Sequence, residues 1–293
     1  MMSAMENRPL EGQVAVVTGA SRGIGKGIAL ELGAAGATVY LTARTVDAGI
    51  LPGTIGETAM EITELGGSAV ALRCDHHDDV QVQAVFERVR DEQGRLDVLV
   101  NNVYSAPDLA AWLGKPFWEL PVAAWDEVLD IGVRSHYVAA VLGVPMMLAA
   151  GHGLVVNVSS SGAVEYAHNL VYGVGKAALD RMTADMAHEL CDRGVAVVSV
   201  WPGLVRTELV MLGARTDEDG RSVLTLPGEG TFDVATVESP RFVGRGVVAL
   251  ASDDEVMQRS GSPVTTAALA NAYGFTDVDG TLPQPALRPD ISP

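Results

Sequence analysis

The stretch that most constrains this chain runs from Gln13 to Ala35. Gln13–Thr18 is rich in Val and reads as a buried strand. Residues Thr18-Gly19-Ala20-Ser21-Arg22-Gly23-Ile24-Gly25 then form a glycine-rich turn, and a helical pattern continues to about Ala35. A buried strand that enters a helix through so tight a turn predicts a βαβ unit, and with it a parallel sheet covered by helices.

The same alternation recurs along the chain. Further strands are predicted at Thr38–Thr42, Ser68–Arg73, Leu96–Val100, Leu154–Val158 and Val195–Val200, with a last candidate at Pro263–Ala267. Helices are predicted to end near Gly66-Gly67 and to span Asp79–Gln93, Trp125–Ala150, Val171–Asp192 and Pro240–Ala251. The expected fold is therefore α/β: a Rossmann-type, doubly wound parallel sheet of about seven strands, with helices on both faces, in a single domain. The body is expected to cover residues 1–270. It includes an irregular insertion at Val103–Pro121 and a variable loop at Leu204–Ser239. The Pro-rich, polar residues 271–293 are expected to form a C-terminal arm.

Composition narrows the function. With 293 residues, 48% of them hydrophobic, the chain has ample material for a large core. A formal net charge of −17, from 20 basic and 37 acidic residues, repels a phosphate backbone and argues against a nucleic-acid partner. Two cysteines, Cys74 and Cys191, are too few for a disulfide framework and fit a reducing, cytoplasmic location. Residues 1–10 lack the apolar stretch of a signal peptide. The most apolar run, Tyr137–Gly151, contains Pro145 and is shorter than the ~20 residues a spanning helix needs, so no membrane span is expected.

The turn after the first strand has the features of a dinucleotide site. Gly19 permits the tight turn, and Gly23 and Gly25 let the backbone approach a pyrophosphate. The helix N-terminus offers free N–H groups and partial positive charge to the phosphates. Thr18, Gly19, Ser21, Arg22, Gly23, Ile24 and Gly25 are thus candidate cofactor residues. At the end of the second strand a carboxylate would repel a 2′-phosphate, but the sequence there is Thr42-Ala43-Arg44. Arg44, with Arg22, is suited to charge-assisted bonds to that phosphate, so NADP(H) is expected over NAD(H). Asp75 ends the third strand as a candidate acceptor for the adenine amino group. The adjacent His76-His77-Asp78-Asp79 superficially resembles a metal cluster, but Asp78 or Asp79 reads as a helix N-cap and no metal is expected.

Tyr172 and Lys176 stand four residues apart at the start of a predicted helix, so both project from one face. An ordinary Tyr, with a pKa of about 10, is a poor acid/base near neutrality. A neighbouring ammonium stabilises the phenolate and makes the Tyr usable. The spacing alone is common by chance; Ser160, at the end of the fifth strand, gives it meaning.

These residues, taken in order, resemble a classical short-chain dehydrogenase/reductase. The carriers are the Thr18–Gly25 turn, Asn101-Asn102, Val158-Ser159-Ser160, Tyr172 with Lys176, and Pro202-Gly203 followed by Thr207, across residues ~12–270. Within the family the chain is most similar to the member 1 subgroup of dehydrogenase/reductase proteins. Phe117-Trp118-Glu119, Gly132 with Ser135-His136-Tyr137, Tyr172-Gly173-Val174-Gly175-Lys176, Tyr273-Gly274 and Asp277-Val278-Asp279-Gly280 carry that likeness. The resemblance implies hydride transfer between a nicotinamide and a carbonyl or secondary alcohol. Tyr172 would exchange the proton and Ser160 would support the developing alkoxide, with Ser159 an alternative because the Ser-to-Tyr loop is shorter than usual. Lys176 would also bond the nicotinamide ribose. Asn101 would lie against the cofactor, while Val205, Thr207 and the backbone after Pro202-Gly203 would hold its carboxamide.

Two departures stand out. The usual Asn-Asn-Ala-Gly reads Asn101-Asn102-Val103-Tyr104, which makes the cofactor wall bulkier. The helix Asn of the family's proton relay is Gly132, so either a water on backbone carbonyls or His136 is expected to substitute. The substrate pocket is expected from Val103–Pro121, Ser161–Val171 and Leu204–Ser239, with Trp112, Phe117, Trp118, Tyr166, Leu204, Leu209, Met211 and Leu212 as its apolar lining. That suits an apolar, steroid- or lipid-like carbonyl or alcohol. The long helices are apolar on more than one face, and the resemblance implies a homodimer or homotetramer through them. Two other readings stay open: a dinucleotide-binding sensor or scaffold with attenuated activity, and an NAD-linked dehydrogenase.

Overall fold

The computed structural model describes residues 8–105, 109–226 and 230–283. Its centre is a seven-stranded, wholly parallel sheet. In chain order the elements are β1 (Val14–Thr18), α1 (Gly23–Ala34), β2 (Thr38–Ala43), α2 (Ile55–Glu64), β3 (Ser68–Arg73), α3 (Asp79–Gln93), β4 (Val98–Asn101) and α4 (Leu109–Trp112). They continue with α5 (Ala123–Leu129), α6 (Ser135–Ala150), β5 (Gly153–Val158), α7 (Leu170–Leu190), β6 (Val195–Trp201) and α8 (Glu208–Gly213). Then come β7 (Arg215–Thr216), β8 (Ser222–Leu226), β9 (Gly230–Asp233), α9 (Pro240–Ala251), β10 (Pro263–Thr265) and α10 (Thr266–Tyr273). The large sheet runs β10-β6-β5-β4-β1-β2-β3. Its order reverses direction between β1 and β4, and the crevice at that switch is where such sheets bind ligands.

Strand alternation divides the core in two. Ala15, Val17, Val98, Val100, Val156 and Val198 face one side and pack with Ile28, Leu32, Val243 and Val247 of α1 and α9. Val14, Val16, Leu99, Val155 and Val197 face the other and pack with Phe86 of α3, Met147 of α6 and Leu190 of α7. Helices therefore cover both faces, the arrangement that lets a parallel sheet consist of nearly continuous apolar strands.

Three regions differ from the sequence expectation. The long helix begins at Ala123 and is interrupted by a wider π-helical turn at Asp130–Arg134, where Ser135 Oγ donates to Ile131 O at 2.7 Å. Taken through that turn, Ala123–Ala150 is 28 residues long and has the length and composition to cross a membrane, so the expectation based on a short run from Tyr137 was too narrow. Half of its most apolar window is buried inside the protein, as in the core helix of a globular fold. The Leu204–Ser239 loop carries α8 and a small antiparallel sheet, β7-β8-β9. The last strand stops at Thr265, whose side chain caps α10. The arm expected from Asn271 thus starts within α10, and beyond it Asp277 is buried and accepts from Ser239 N at 2.8 Å. Residues 284–293 lie outside the described residues.

Candidate active site

A cleft of about 430 Å³ opens at the C-terminal ends of the parallel strands. Gly19, Ser21, Arg22 and Ile24 line it from the first turn, Arg44 and Asp75 from the ends of β2 and β3, and Ser160, Tyr172, Lys176, Pro202, Gly203 and Thr207 from the far side. The turn needs its glycines. Gly19 has φ +69°, and a Cβ there would meet Val103 Cα at 2.9 Å. At Gly25 a Cβ would lie 2.4 Å from Gly19 O, so this start of α1 packs directly beneath the turn. Gly23 N donates to Glu208 Oε2 at 2.8 Å, and the helix N-terminus is seen accepting an anion in the form of a carboxylate. These residues fit the pyrophosphate of a dinucleotide.

Some predicted residues stand behind this wall. Thr18 is buried; its hydroxyl donates to Val100 O and accepts from Asn102 N, tying β1 to β4. Asn101, expected against the cofactor, is fully enclosed, with its amide donating to Asn157 Oδ1 at 3.0 Å and His136 O at 3.3 Å. Because side chains alternate along a strand, its neighbour Asn102 faces the cleft instead. Val205 is also buried and bridges to Glu238. Thr207 caps α8 through Val210 N at 3.3 Å.

At the end of the cleft beside β2 and β3, Arg22 donates to Pro52 O and Gly53 O at 3.1 and 2.9 Å, and Arg44 lies 4.0 Å from Asp75. Both members of the Arg44–Asp75 pair are exposed, a setting in which an ion pair contributes little and yields readily to a stronger anion. Asp78 caps α3 by accepting from Val80 N and Gln81 N. His76 is buried against Thr42 Oγ1 at 2.8 Å, and burial lowers its pKa to about 4.

The cluster around Tyr172 is compact. Asn169 caps α7 by accepting from Tyr172 N, which fixes the start of that helix beside the end of β5. Tyr172 Oη donates to Ser160 Oγ at 2.8 Å. Ser159 points the other way, donating to the backbone O of Lys176 at 3.2 Å. Lys176 Nζ donates to Val158 O at 3.0 Å, and burial lowers its pKa to about 8, against the opposing pull of Asp180. His136, considered for the relay, has Nε2 at 3.0 Å from Val103 O and is driven by burial to a pKa of about 3. It stays neutral near physiological pH, and its ring hydrogen bond runs to Val103 O and not to Lys176.

A second cavity of about 210 Å³ shares Ser160, Tyr172, Pro202 and Gly203 with the cleft. Tyr166 and Leu204 line it as expected, joined by Glu165, His168, Leu226 and Phe232. Leu226 and Phe232 were not singled out from sequence, because only the β8–β9 pairing brings them there. Trp112 is instead core, packed with Ala124, Val128 and Val171. Phe117 and Trp118 stack edge to face on the surface, and Leu209, Met211 and Leu212 are also exposed.

This fold and site define a class. The chain belongs to the short-chain dehydrogenase/reductase family: the family model for short chain dehydrogenase matches residues 13–218. Dehydrogenase/reductase SDR family member 1 of Mus musculus is 47% identical over 277 residues, covering 93% of this chain and 85% of that protein. A 7alpha-hydroxysteroid dehydrogenase of Clostridium sardiniense is 31% identical, covering 84% of this chain and 88% of that protein. Among solved structures, a metagenomic short-chain oxidoreductase in complex with NADP superposes with a TM-score of 0.68 at 31% identity, covering 88% of this chain and 97% of that one. The protein is an oxidoreductase with a nucleotide-binding fold that acts on small molecules.

Proposed function

We propose that this protein transfers hydride between NADP(H) and the carbonyl or secondary alcohol of an apolar, steroid- or lipid-like substrate, with Ser160, Tyr172 and Lys176 as its catalytic residues. The observation that carries this reading is the meeting of two cavities at the Ser160–Tyr172 hydrogen bond. A dinucleotide in the larger cavity and a carbonyl in the smaller would then share that pair.

When bound, the nicotinamide donates or accepts the hydride. The chain's own residues handle the oxygen and its proton. In reduction, Ser160 donates a hydrogen bond to the carbonyl oxygen, where negative charge develops. Tyr172 delivers the proton, and the Lys176 ammonium, with Nζ 5.7 Å from the Tyr172 ring centroid, favours the phenolate left behind. In oxidation each role reverses. The Gly19–Gly25 turn and the N-terminus of α1 would hold the pyrophosphate, while Pro202, Gly203 and Thr207 would face the carboxamide.

Two features support NADP(H). Arg44 and Arg22 line the end of the cleft beside β2, where Ala43-Arg44 replaces an acidic residue, and a similar solved oxidoreductase holds NADP. Leu204, Leu226 and Phe232 support an apolar substrate, as does the likeness to a hydroxysteroid dehydrogenase. Tyr137, Val141 and Leu148, exposed on α6, support a homodimer or homotetramer. The free thiols of Cys74 and Cys191 support a reducing cytoplasm. The decisive test is a panel of apolar ketones, aldehydes and alcohols, steroids included, assayed with NADP(H) and NAD(H) by the absorbance of the reduced nicotinamide. Turnover of apolar substrates with preference for the phosphorylated cofactor is expected; cofactor binding without turnover across the panel overturns the reading.

A further inference from the structure

Lys176 is an enclosed cation, and the residues around it show how it is held. Tyr172 and Asp180 approach it from its own helix, His136 from α6, and Tyr104 from the loop that leaves β4. Lys176 Nζ lies over two rings, 5.4 Å from the Tyr104 centroid and 5.7 Å from that of Tyr172. The rings pack edge to face, with centroids 6.1 Å apart and planes at 83°. One ammonium and two phenols therefore fix one another in a triangle.

Gly132 makes room for the second ring. A Cβ built at Gly132 would come 3.3 Å from Tyr104 Cδ2 and 3.6 Å from Cε2, close enough that the ring would have to shift. Gly is a poorer helix-interior residue than Ala. Here it lies in the π-helical turn, buried under the Tyr104 ring.

We propose that Tyr104, seated by Gly132, is a positioning residue of the active site: its ring face holds the Lys176 ammonium and its edge-to-face packing against Tyr172 locates that ring. The electron-rich face attracts the cation, and the effect grows where water is excluded. An edge-to-face contact fixes the angle of the Tyr172 ring. The ring does this work and the Tyr104 hydroxyl does not. The proposal rests on the assignment of Tyr172 and Lys176 made above.

The test compares wild type with Tyr104→Leu, Tyr104→Phe, Gly132→Ala and the Gly132→Ala/Tyr104→Leu pair, recording kcat, both KM values and the dependence of kcat on pH from about pH 6 to about pH 10. Tyr104→Leu is expected to lower kcat by about two- to thirtyfold, the range a cation–π contact spans from exposed to desolvated settings. It should also move the ionisation assigned to Tyr172. Tyr104→Phe should rescue both kcat and the profile. Gly132→Ala should shift kcat and the profile in the same direction by less, and should add nothing in the Tyr104→Leu background. The proposal is overturned if Tyr104→Phe is as impaired as Tyr104→Leu, if the profile stays fixed, or if the Gly132 and Tyr104 effects simply add. Should Tyr104→Leu fail to fold, judged by circular dichroism, Gly132→Ala decides through its own profile. Tyr172→Phe separates the two levels: if it stays active, the catalytic assignment itself fails, whereas an inactive Tyr172→Phe beside an unaltered Tyr104→Leu sinks only this proposal.

Discussion

The two cavities that meet at Tyr172 are built from different kinds of structure. The cleft takes one wall from the ends of β1 to β4, strands locked by parallel pairing and packed beneath helices on both sides. The smaller cavity lies partly under the three-stranded sheet, whose β7 is two residues long and exposed. A rigid frame suits a cofactor of fixed shape. A loop region carrying its own short sheet suits a substrate that differs among relatives, because loops change without disturbing the core. The joint between the halves is Gly203, whose N–H donates to buried Glu238 at 2.9 Å.

The largest effect expected is at the shared point. Tyr172→Phe should lower kcat by about 10²- to 10⁴-fold, as loss of a general acid does, with the melting temperature little changed. An effect under tenfold would mean that the cavities do not meet at the reacting group. Next, Arg44→Asp should act on the cleft alone, shifting the ratio of kcat/KM for NADPH over NADH by about 10- to 100-fold toward NADH, the scale of a lost charge-assisted bond. Phe232→Ala should act on the other half, raising the substrate KM by about tenfold through lost apolar contact. A comparable change in the cofactor KM would break the distinction between the halves.

The smallest effect lies at the joint. Burial raises the Glu238 carboxyl to about 7 from the usual 4.5, opposed by its bonds from Thr266 and Gly203 N. The folded protein therefore keeps this proton over a range where the unfolded chain has lost it. The resulting stability is present below about pH 4.5 and is lost as pH rises through about 7. The melting temperature should fall by a few degrees across that window, and Glu238→Gln should flatten the decline.

The legibility of the sequence follows the same division. Gly19, Gly23, Gly25, Tyr172 and Lys176 depend on local geometry, one turn or one helix face, so their placement in the fold could be read from spacing. Ser160 and Ser159 required the structure, because which hydroxyl faces Tyr172 depends on how β5 ends against α7. Asn101 and Asn102 were exchanged for a similar reason, since a one-residue difference on a strand reverses the face. Leu226 and Phe232 were hidden because their positions follow from pairing between distant segments. Trp112 was read as pocket lining but packs on α5 and α7, a difference that an apolar side chain alone does not reveal. Tyr104 and Gly132 are each visible as departures in the sequence, but that they lie against one another comes only from tertiary packing.

The Glu208 carboxylate on Gly23 N has one more consequence. A phosphate seated on that same N–H would have to displace the carboxylate of Glu208. Under that exchange, the affinity for the cofactor would be a difference between two ligands, one of which the chain carries itself. Glu208 begins α8, in the same loop region that supplies Leu204, Leu226 and Phe232. One hydrogen bond thus joins the turn at the head of the first cavity to the segment that shapes the second.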